Sequence, residues 1–235
     1  MPALFDTLLG VALVAVFAGG AWRLRGVSSW GAVTGGLLAL VLYFAAGPGG
    51  FAALVAVFVL TWLSTRLGRA RKQRLGVIEA ARGRSAGQVL ANLATAAGLA
   101  AVSTAVHSPV LLLAAMAALA EAAADTASSE CGIALSERAY VITTWRPVPA
   151  GTDGGISLPG SLAGIIAAFT VAGVAAAAEV ISWAELPLVA IAGIAGTVVD
   201  SMLGATLERR RLIGNNGVNF LSTLAAAAIA WLLAR

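Results

Sequence analysis

Runs of about 20 apolar residues recur along the whole chain, and they constrain its fold more than any other feature. A run of this length crosses the hydrocarbon core of a bilayer as one α-helix. Only 11% of the residues are charged, so little sequence remains for a soluble domain. We therefore predict an all-α, polytopic integral membrane bundle in which residues 1–235 form a single transmembrane domain. Hydropathy predicts about eight transmembrane helices, at 3–21, 30–46, 51–65, 86–106, 109–124, 158–178, 186–204 and 217–234.

The distribution of basic residues predicts how the bundle is oriented. All of the 15 Lys and Arg residues except Arg235 fall in the odd-numbered connections between spans. The positive-inside rule places those connections, near 22–29, 66–85, 125–157 and 205–216, in the cytoplasm and both termini outside. Because these residues flank membrane spans and form no nucleic-acid-binding motif, we expect the bilayer, and no nucleic acid, as their partner. The sequence does not indicate an oligomeric state.

The first span and the single cysteine each argue against a common sequence feature: a cleaved signal peptide in the first case, and a disulfide or a Cys/His metal site in the second. Asp6 precedes the first apolar run, which lacks a basic leader, so we predict a retained helix rather than a cleaved signal peptide. Cys131 is the one cysteine and His107 the one histidine, which rules out an intramolecular disulfide and a Cys/His metal site.

Acidic residues gather where the fifth and seventh spans are expected to reach the cytoplasm. The stretch EAAADTASSE, residues 121–130, contains Glu121, Asp125 and Glu130, and Asp200 lies near the corresponding end of the seventh span. Acids inside a membrane are costly and usually face a polar interior, so we expect Asp125 and Asp200 to share one face. The alternatives are a helix-end charge at Asp125 and an interhelical hydrogen bond at Asp200.

The segment VPAGTDGGISLPGSLAG, residues 148–164, is dense in glycine. Its first glycines permit backbone conformations in which successive N–H groups form an anion-binding nest, and Asp153 among them is a candidate ligand for a divalent cation. A plain turn is the alternative. Gly160 and Gly164, spaced as small-xxx-small, are expected to serve helix packing.

Further polar residues are expected to join the acids in one pocket at the cytoplasmic surface. Arg84 and Gln88 precede Asn92 by two turns and one turn of the fourth span, and Asn215 and Asn219 lie at the start of the eighth. Carboxylates that hold Mg²⁺, with N–H groups and arginines that hold phosphates, suit phosphoryl or nucleotidyl transfer. The motif GxxxxGK[ST] is missing, which excludes a P-loop site.

Five ordered motifs within residues 83–219 resemble the membrane family known as domain of unknown function 92, which includes plant phytyl-phosphate kinase. The resemblance implies a membrane-embedded, Mg²⁺-dependent kinase that converts a phytyl or prenyl monophosphate, an isoprenoid lipid, to its diphosphate. A nucleoside triphosphate, with CTP as the expected one, would be the donor. The motifs are GRSAGQVLAN, AAADTASSECG, VPAGTDGGISLPGSLAG, GTVVDSMLGATLE and NNGVN.

The residues above and the resemblance together define the predicted site. Two positions depart from the family pattern: Ala127 replaces a common aromatic and is expected to alter substrate fit, and Glu208 replaces a frequent glutamine. Glu208 either adds a charge near the phosphates or lies in solvent. The predicted catalytic and metal-binding residues are Asp125, Glu130, Asp153 and Asp200. The predicted substrate- and phosphate-binding residues are Arg84, Asn92, Thr126, Ser129, Gly151, Thr152, Gly154, Gly155, Ser157, Ser201, Gly204, Asn215 and Asn219.

Two other functions use some of the same features. A transporter or carrier of a lipid phosphate or small ion would use the acids to relay protons or bind a cation, but it needs a polar site near the midplane with access from both sides. A structural or assembly protein would leave the acids only a packing role. The outer halves of the predicted spans contain almost no ionisable residues, which favours the enzyme.

The predicted orientation can be tested by cysteine labelling. A cysteine introduced between Gln73 and Ala81 should resist membrane-impermeant thiol reagents in intact cells, because the basic connection that holds it is expected in the cytoplasm. Rapid labelling in intact cells would reverse the orientation.

Overall fold

The chain folds as a bundle of membrane-length helices in a computed structural model that describes residues 2–75 and 83–235. Residues 76–82 of the predicted connection 66–85, Arg82 among them, lie outside the described residues. Within the described ranges, seven helices are long and apolar enough to cross a membrane. The helices are α1 (Pro2–Arg23), α2 (Ser29–Arg66), the short α3 (Arg69–Arg74), α4 (Ala86–Val106), α5 (Pro109–Leu135), α6 (Leu158–Ala177), α7 (Leu186–Leu203) and α8 (Asn215–Leu233).

Helix α2 makes two passes, because the chain reverses inside it. Gly47 adopts φ +68°, ψ −172°, which interrupts the helix. A Cβ on Gly50 would lie 3.1 Å from the carbonyl oxygen of Leu42, whereas residues eight apart in a continuous helix are separated by about 12 Å. Arg66 at the end of α2 donates to the Leu24 carbonyl before its start, so both ends lie together. The two predicted spans 30–46 and 51–65 are therefore confirmed, and the bundle has eight passes.

Helix α5 forms the centre of the bundle. Residues 113–124 are buried without interruption, and α2, α4, α6, α7 and α8 all pack against this helix. The predicted end of the fifth span at residue 124 is wrong, because the helix continues to Leu135. The polar residues after 124 were interpreted as the membrane boundary. They lie instead on the continuing helix, where they line a cavity inside the bundle.

Glycines allow α6 to pack closely on α5. A Cβ on Gly160 would lie 2.5 Å from the carbonyl oxygen of Ser128 and 3.2 Å from the Cα of Gly132. At Gly164 it would lie 3.0 Å from the carbonyl oxygen of Ala124. Only a residue without a side chain permits this approach, which confirms the predicted packing role of Gly160 and Gly164.

A small antiparallel sheet lies in the connection between α5 and α6. Its strands are β1 (Arg138–Val141), β2 (Pro147–Pro149) and β3 (Gly155–Ile156), in the order β2-β1-β3. Ala139 pairs with Val148, and Tyr140 pairs with Ile156. The sheet was not predicted, since strands of two to four residues are too short to show an alternating pattern. It holds the glycine-rich segment between β2 and β3.

Helix α7 ends in a π-helical turn, Gly204–Glu208, which was also not predicted. The Arg209 N–H donates to the Gly204 carbonyl at 3.2 Å, and the Leu212 N–H donates to the Leu207 carbonyl at 3.0 Å. Both bonds join residues five apart. Such turns are rare in proteins as a whole, and those that occur are often found at functional sites.

The packing of α6 on α5 predicts that alanine destabilises the protein at one glycine of α6 and has little effect at another. Gly160→Ala should lower the free energy of unfolding by ~1–3 kcal/mol, because its methyl group would overlap the α5 backbone. Gly173→Ala is the matched control, since no atom lies within 4 Å of its Cβ position. Thermal unfolding of the purified variants in detergent measures the difference. Equal melting temperatures would contradict close packing at Gly160.

Candidate functional site

One cavity of about 380 Å³ lies at the end of the bundle where α4, α6 and α8 begin. All of the predicted site residues line this cavity, although they come from five separate segments of the chain. Their roles remain predictions, but their convergence does not depend on the assumed spans. The lining includes Arg84, Asn92, Asp125, Thr126, Ser129, Glu130, Gly151, Thr152, Asp153, Gly154, Gly155, Ser157, Asp200, Ser201, Gly204, Asn215 and Asn219.

Asp125 on α5 and Asp200 on α7 face each other in this cavity, as their shared face predicted. Their carboxyl groups are close enough to interact electrostatically. Oxygen Oδ2 of Asp200 is buried and has no hydrogen-bond partner among the described residues. Glu121, one turn deeper on α5, is only 1% exposed and likewise has an unpartnered oxygen, Oε1. Unpartnered buried carboxylate oxygens are costly, so these atoms need a cation, a proton or a bound ligand.

The glycine-rich loop between β2 and β3 presents unused N–H groups. Gly151 and Gly154 adopt φ of +89° and +68°, which residues with a side chain rarely adopt. The N–H groups of Thr152 and Gly155 donate to carbonyls inside the loop. Those of Gly151, Asp153 and Gly154 donate to no acceptor in the described part of the chain. Three N–H groups of the predicted anion-binding nest are therefore without an acceptor among the described residues.

Close contact with α7 fixes this loop over the acids. A Cβ on Gly204 would lie 2.9 Å from the Gly154 nitrogen, and a Cβ on Gly154 would lie 2.5 Å from the Cα of Ala205. The loop thus rests on the π-helical turn that follows Asp200. Gly155 does not use the backbone freedom that was expected of it, because it is extended in β3; a side chain there would lie 2.8 Å from the Thr152 carbonyl oxygen.

Positive charge reaches the cavity from Arg84 and from helix ends. The Arg84 guanidinium donates to the Thr126 hydroxyl at 3.2 Å and interacts electrostatically with Asp125. The N-termini of α4, α6 and α8 all border the cavity, and each carries a partial positive charge. Negatively charged groups are therefore favoured there despite the neighbouring carboxylates.

Glu130 lines the cavity but is already paired. Its Oε2 forms an ion pair with the Lys72 ammonium at 2.5 Å, and its Oε1 accepts from the Thr65 hydroxyl at 3.2 Å. Lys72 is 3% exposed and also donates to the carbonyls of Ser64 and Thr65. This pair anchors α3 to α2 and α5, so Glu130 has a structural partner where a metal was predicted.

The two departures from the family pattern lie in different surroundings. Ala127 is 5% exposed in the hydrophobic core and does not line the cavity, so the expected effect on substrate fit finds no support there. Glu208 is half-buried and lines the cavity, which agrees with the interpretation that it adds a charge near the phosphates rather than lying in solvent.

Sequence reasoning missed three hydroxyl groups of the cavity, those of Ser128, Ser161 and Thr197. Each lies three or four residues from a predicted residue on the same helix or at its N-cap, so helical spacing from Asp125, Ser157 and Asp200 identifies them.

The donor set fits a hard divalent cation without forming a complete cage. Within residues 2–75 and 83–235, no group of three or more His, Cys, Asp or Glu side chains lies close enough to hold a metal alone. Mg²⁺ commonly takes one or two carboxylates and completes its shell with waters and substrate phosphates. Asp125 and Asp200, with the unpartnered Oδ2, match that requirement, and Asp153 is exposed on the loop above them.

Comparison with known proteins identifies relatives along nearly the whole chain. The family described as Integral membrane protein DUF92 matches residues 12–227. An uncharacterised membrane protein of Synechocystis sp. is 30% identical over 209 residues, which are 87% of this chain and 81% of that protein. One of Methanocaldococcus jannaschii is 28% identical, over 99% and 96% of the two chains. The chloroplastic protein VTE6 of Arabidopsis thaliana is 28% identical, over 88% and 65%. No solved structure matches the chain.

The Lys72–Glu130 pair predicts that Glu130 supports the fold rather than a metal. Glu130→Gln should lower the free energy of unfolding by about 3 kcal/mol, because it leaves a buried ammonium group without its counter-charge. Glu137→Gln, at an exposed position just beyond the end of α5, should have no effect. Adding Lys72→Met to Glu130→Gln should restore part of the stability.

Thermal unfolding in detergent measures these differences. If Glu130→Gln unfolds at the same temperature as the parent protein but Mg²⁺ raises that temperature less, Glu130 is a metal ligand after all.

Proposed function

The chain belongs to the integral membrane family DUF92, and from that membership and the cavity's chemistry we propose that it is a lipid monophosphate kinase. It transfers the terminal phosphoryl group of a nucleoside triphosphate, CTP by the resemblance, to a phytyl or prenyl monophosphate. The observation that carries this proposal is the single cavity in which two facing carboxylates, an arginine and a loop with free N–H groups meet.

The acceptor phosphate is assigned to Arg84. A guanidinium group suits phosphate oxygens because it offers several donors in one plane. Thr126 already accepts from Arg84, so it fixes the guanidinium at the edge of the carboxylate pair. Asn92 lies on the same wall, 6% exposed, and its amide nitrogen donates to the Gln88 carbonyl.

The donor phosphates are assigned to the glycine-rich loop and the helix N-termini beside it. The N–H groups of Gly151, Asp153 and Gly154 are neutral donors that add no counter-charge, and the start of α6 at Ser157 adds the partial positive charge of a helix N-terminus. Ser201 and Asn215 border the same space. With these assignments, the donor and acceptor phosphates would both lie beside Asp125 and Asp200.

The reaction needs positioning more than covalent chemistry by the protein. An oxygen of the lipid monophosphate forms a bond to the terminal phosphorus, and the bond from that phosphorus to the bridging oxygen breaks, giving a lipid diphosphate and a nucleoside diphosphate. Asp125 and Asp200 would hold Mg²⁺, which neutralises charge on the phosphates when bound. Arg84 and the loop keep the two oxygens in line, and the loop resting on Gly204 restricts water.

The transporter alternative has less support from the same geometry. The polar lining is confined to one end of the bundle, and Glu121, buried one turn further along α5 and outside that lining, is the deepest acid. Beyond Glu121, the described parts of α4 to α8 contain no Asp, Glu, Lys or Arg. A carrier needs a polar path to the opposite side.

The proposed activity is tested by incubating purified protein with prenyl monophosphate, Mg²⁺ and each nucleoside triphosphate in turn. Formation of prenyl diphosphate, with one nucleotide preferred, is expected. If no diphosphate forms with any donor while proteoliposomes move the lipid phosphate between leaflets, the carrier would be the correct function.

Charge removal at the two facing acids should abolish most of the turnover. Asp125→Asn and Asp200→Asn preserve side-chain volume, so folding should survive, and turnover should fall ~10²-fold or more, equivalent to about 2.7 kcal/mol of transition-state stabilisation. Binding of the lipid phosphate should weaken much less. Asp6→Asn, far from the cavity on α1, is the matched control.

A Mg²⁺ titration of turnover completes this test. Near-normal turnover with unchanged Mg²⁺ dependence in both variants would remove the acids from the chemistry.

A further inference from the structure

The cavity has an apolar wall that the proposed phosphate chemistry does not use. Ile165 on α6 and Ile194 and Val198 on α7 line it beside the acids. Ile165 and Val198 are also 38% and 42% exposed. Apolar side chains that line a polar cavity and are also exposed mark a place where the cavity reaches the outer surface of the bundle.

Helical spacing shows that this place is the seam between α6 and α7. On α6, Gly164 faces the cavity and Ile166 faces outward, with Ile165 at the border between them. On α7, Thr197 lines the cavity and Met202 is exposed outside, with Val198 at the corresponding border. Since both helices are of membrane-spanning length, the surface outside this seam is covered by lipid.

We propose that the hydrocarbon tail of a lipid monophosphate leaves the cavity sideways between α6 and α7, across Ile165 and Val198, while its phosphate remains at Arg84. The proposal rests on the proposed function and extends it by assigning the tail subsite. An amphiphile of this kind never has to leave the bilayer: its tail stays in hydrocarbon while its phosphate reaches the carboxylates. Asp200 lies two residues from Val198, so the change from polar to apolar lining occurs within one helical turn.

A second, apolar cavity of about 70 Å³ between α1, α2, α4 and α5 is the competing tail site. It is far smaller than the main cavity, and Arg84, Gln88 and Asn92 line both, so they form the wall between the two. A tail entering it would have to pass the charged guanidinium of Arg84, which already donates to Thr126. Desolvating that charge against hydrocarbon is costly, whereas the seam between α6 and α7 is lined by Ile and Val.

Photo-crosslinking of the intact protein in nanodiscs tests the path directly. The probe is a prenyl monophosphate with a diazirine in its tail, and unlabelled prenyl monophosphate is the competitor. Competable adducts on α6 and α7 around Ile165 and Val198 are expected. Competable adducts on Phe17, Gly36 or Phe58, which line the second cavity, would overturn the proposal.

Substitutions give an independent readout. Ile165→Trp and Val198→Trp should each lower kcat/KM for a 20-carbon acceptor at least ~10-fold more than for a five-carbon acceptor, because the indole obstructs the seam. Ile166→Trp is the matched control, since Ile166 is 64% exposed and does not line the cavity. An unchanged ratio between the two acceptors in both cavity variants would also overturn the path.

The two proposals fail in different ways. Turnover with crosslinks in the second cavity would leave the kinase intact and remove only the tail path. Competable crosslinks at the seam without turnover would retain the path and remove the kinase. The complete lack of competable crosslinks would overturn the path, and turnover measured separately would then decide the function.

Discussion

Close packing of small residues around α5 is the constraint on which this structure depends. Lipid tails are as apolar as Leu, so helices in a bilayer gain little from the hydrophobic effect and must associate through close contact. From Leu113 to Ala124 the helix is almost all alanine, leucine and methionine, and it is completely buried by five neighbouring helices. Alanine at the centre and glycine on the α6 side bring backbones together, and Asp125, the first residue after the fully buried stretch, lines the cavity.

The same arrangement makes a cluster of acids tolerable. Carboxylates in a low-dielectric interior repel each other and lose their hydration. Here Arg84 and the N-termini of three helices border the cavity that holds Asp125 and Asp200, so the fold provides compensating positive potential before any ligand binds. One oxygen of Asp200 still lacks a partner among the described residues, so the compensation of its negative charge is incomplete. A bound cation with its phosphates would supply the missing interaction.

Much of this architecture was predictable from the sequence, because the two strongest signals, hydropathy and the Gly/Pro reversal, depend only on neighbouring residues. Span length follows from hydropathy, and the reversal at Gly47 follows from the glycine and proline beside it. The convergence of Asp125, Asp200 and Arg84 was predictable only through span parity, which places alternate helix ends on the same side.

Three features lacked such a signal. The sheet is too short for periodicity, and the π-helical turn depends on contacts with the loop. The partner of Glu130 is Lys72 on α3, in a basic segment that sequence reasoning assigned to orientation alone. These features arise from tertiary contacts between distant segments.

The π-helical turn at Gly204–Glu208 also sets the phase of everything after it. A turn closed by bonds between residues five apart contains one residue more than a regular turn, so the chain beyond it lags in rotation relative to a continuous α-helix. Glu208 therefore points back toward the cavity that Asp200 faces, although it lies eight positions further along the chain. If this turn became a regular α-helix with the same number of residues, Glu208 would rotate by about 100° away from that cavity. The backbone hydrogen-bond pattern of one turn thus decides which way a charged side chain faces.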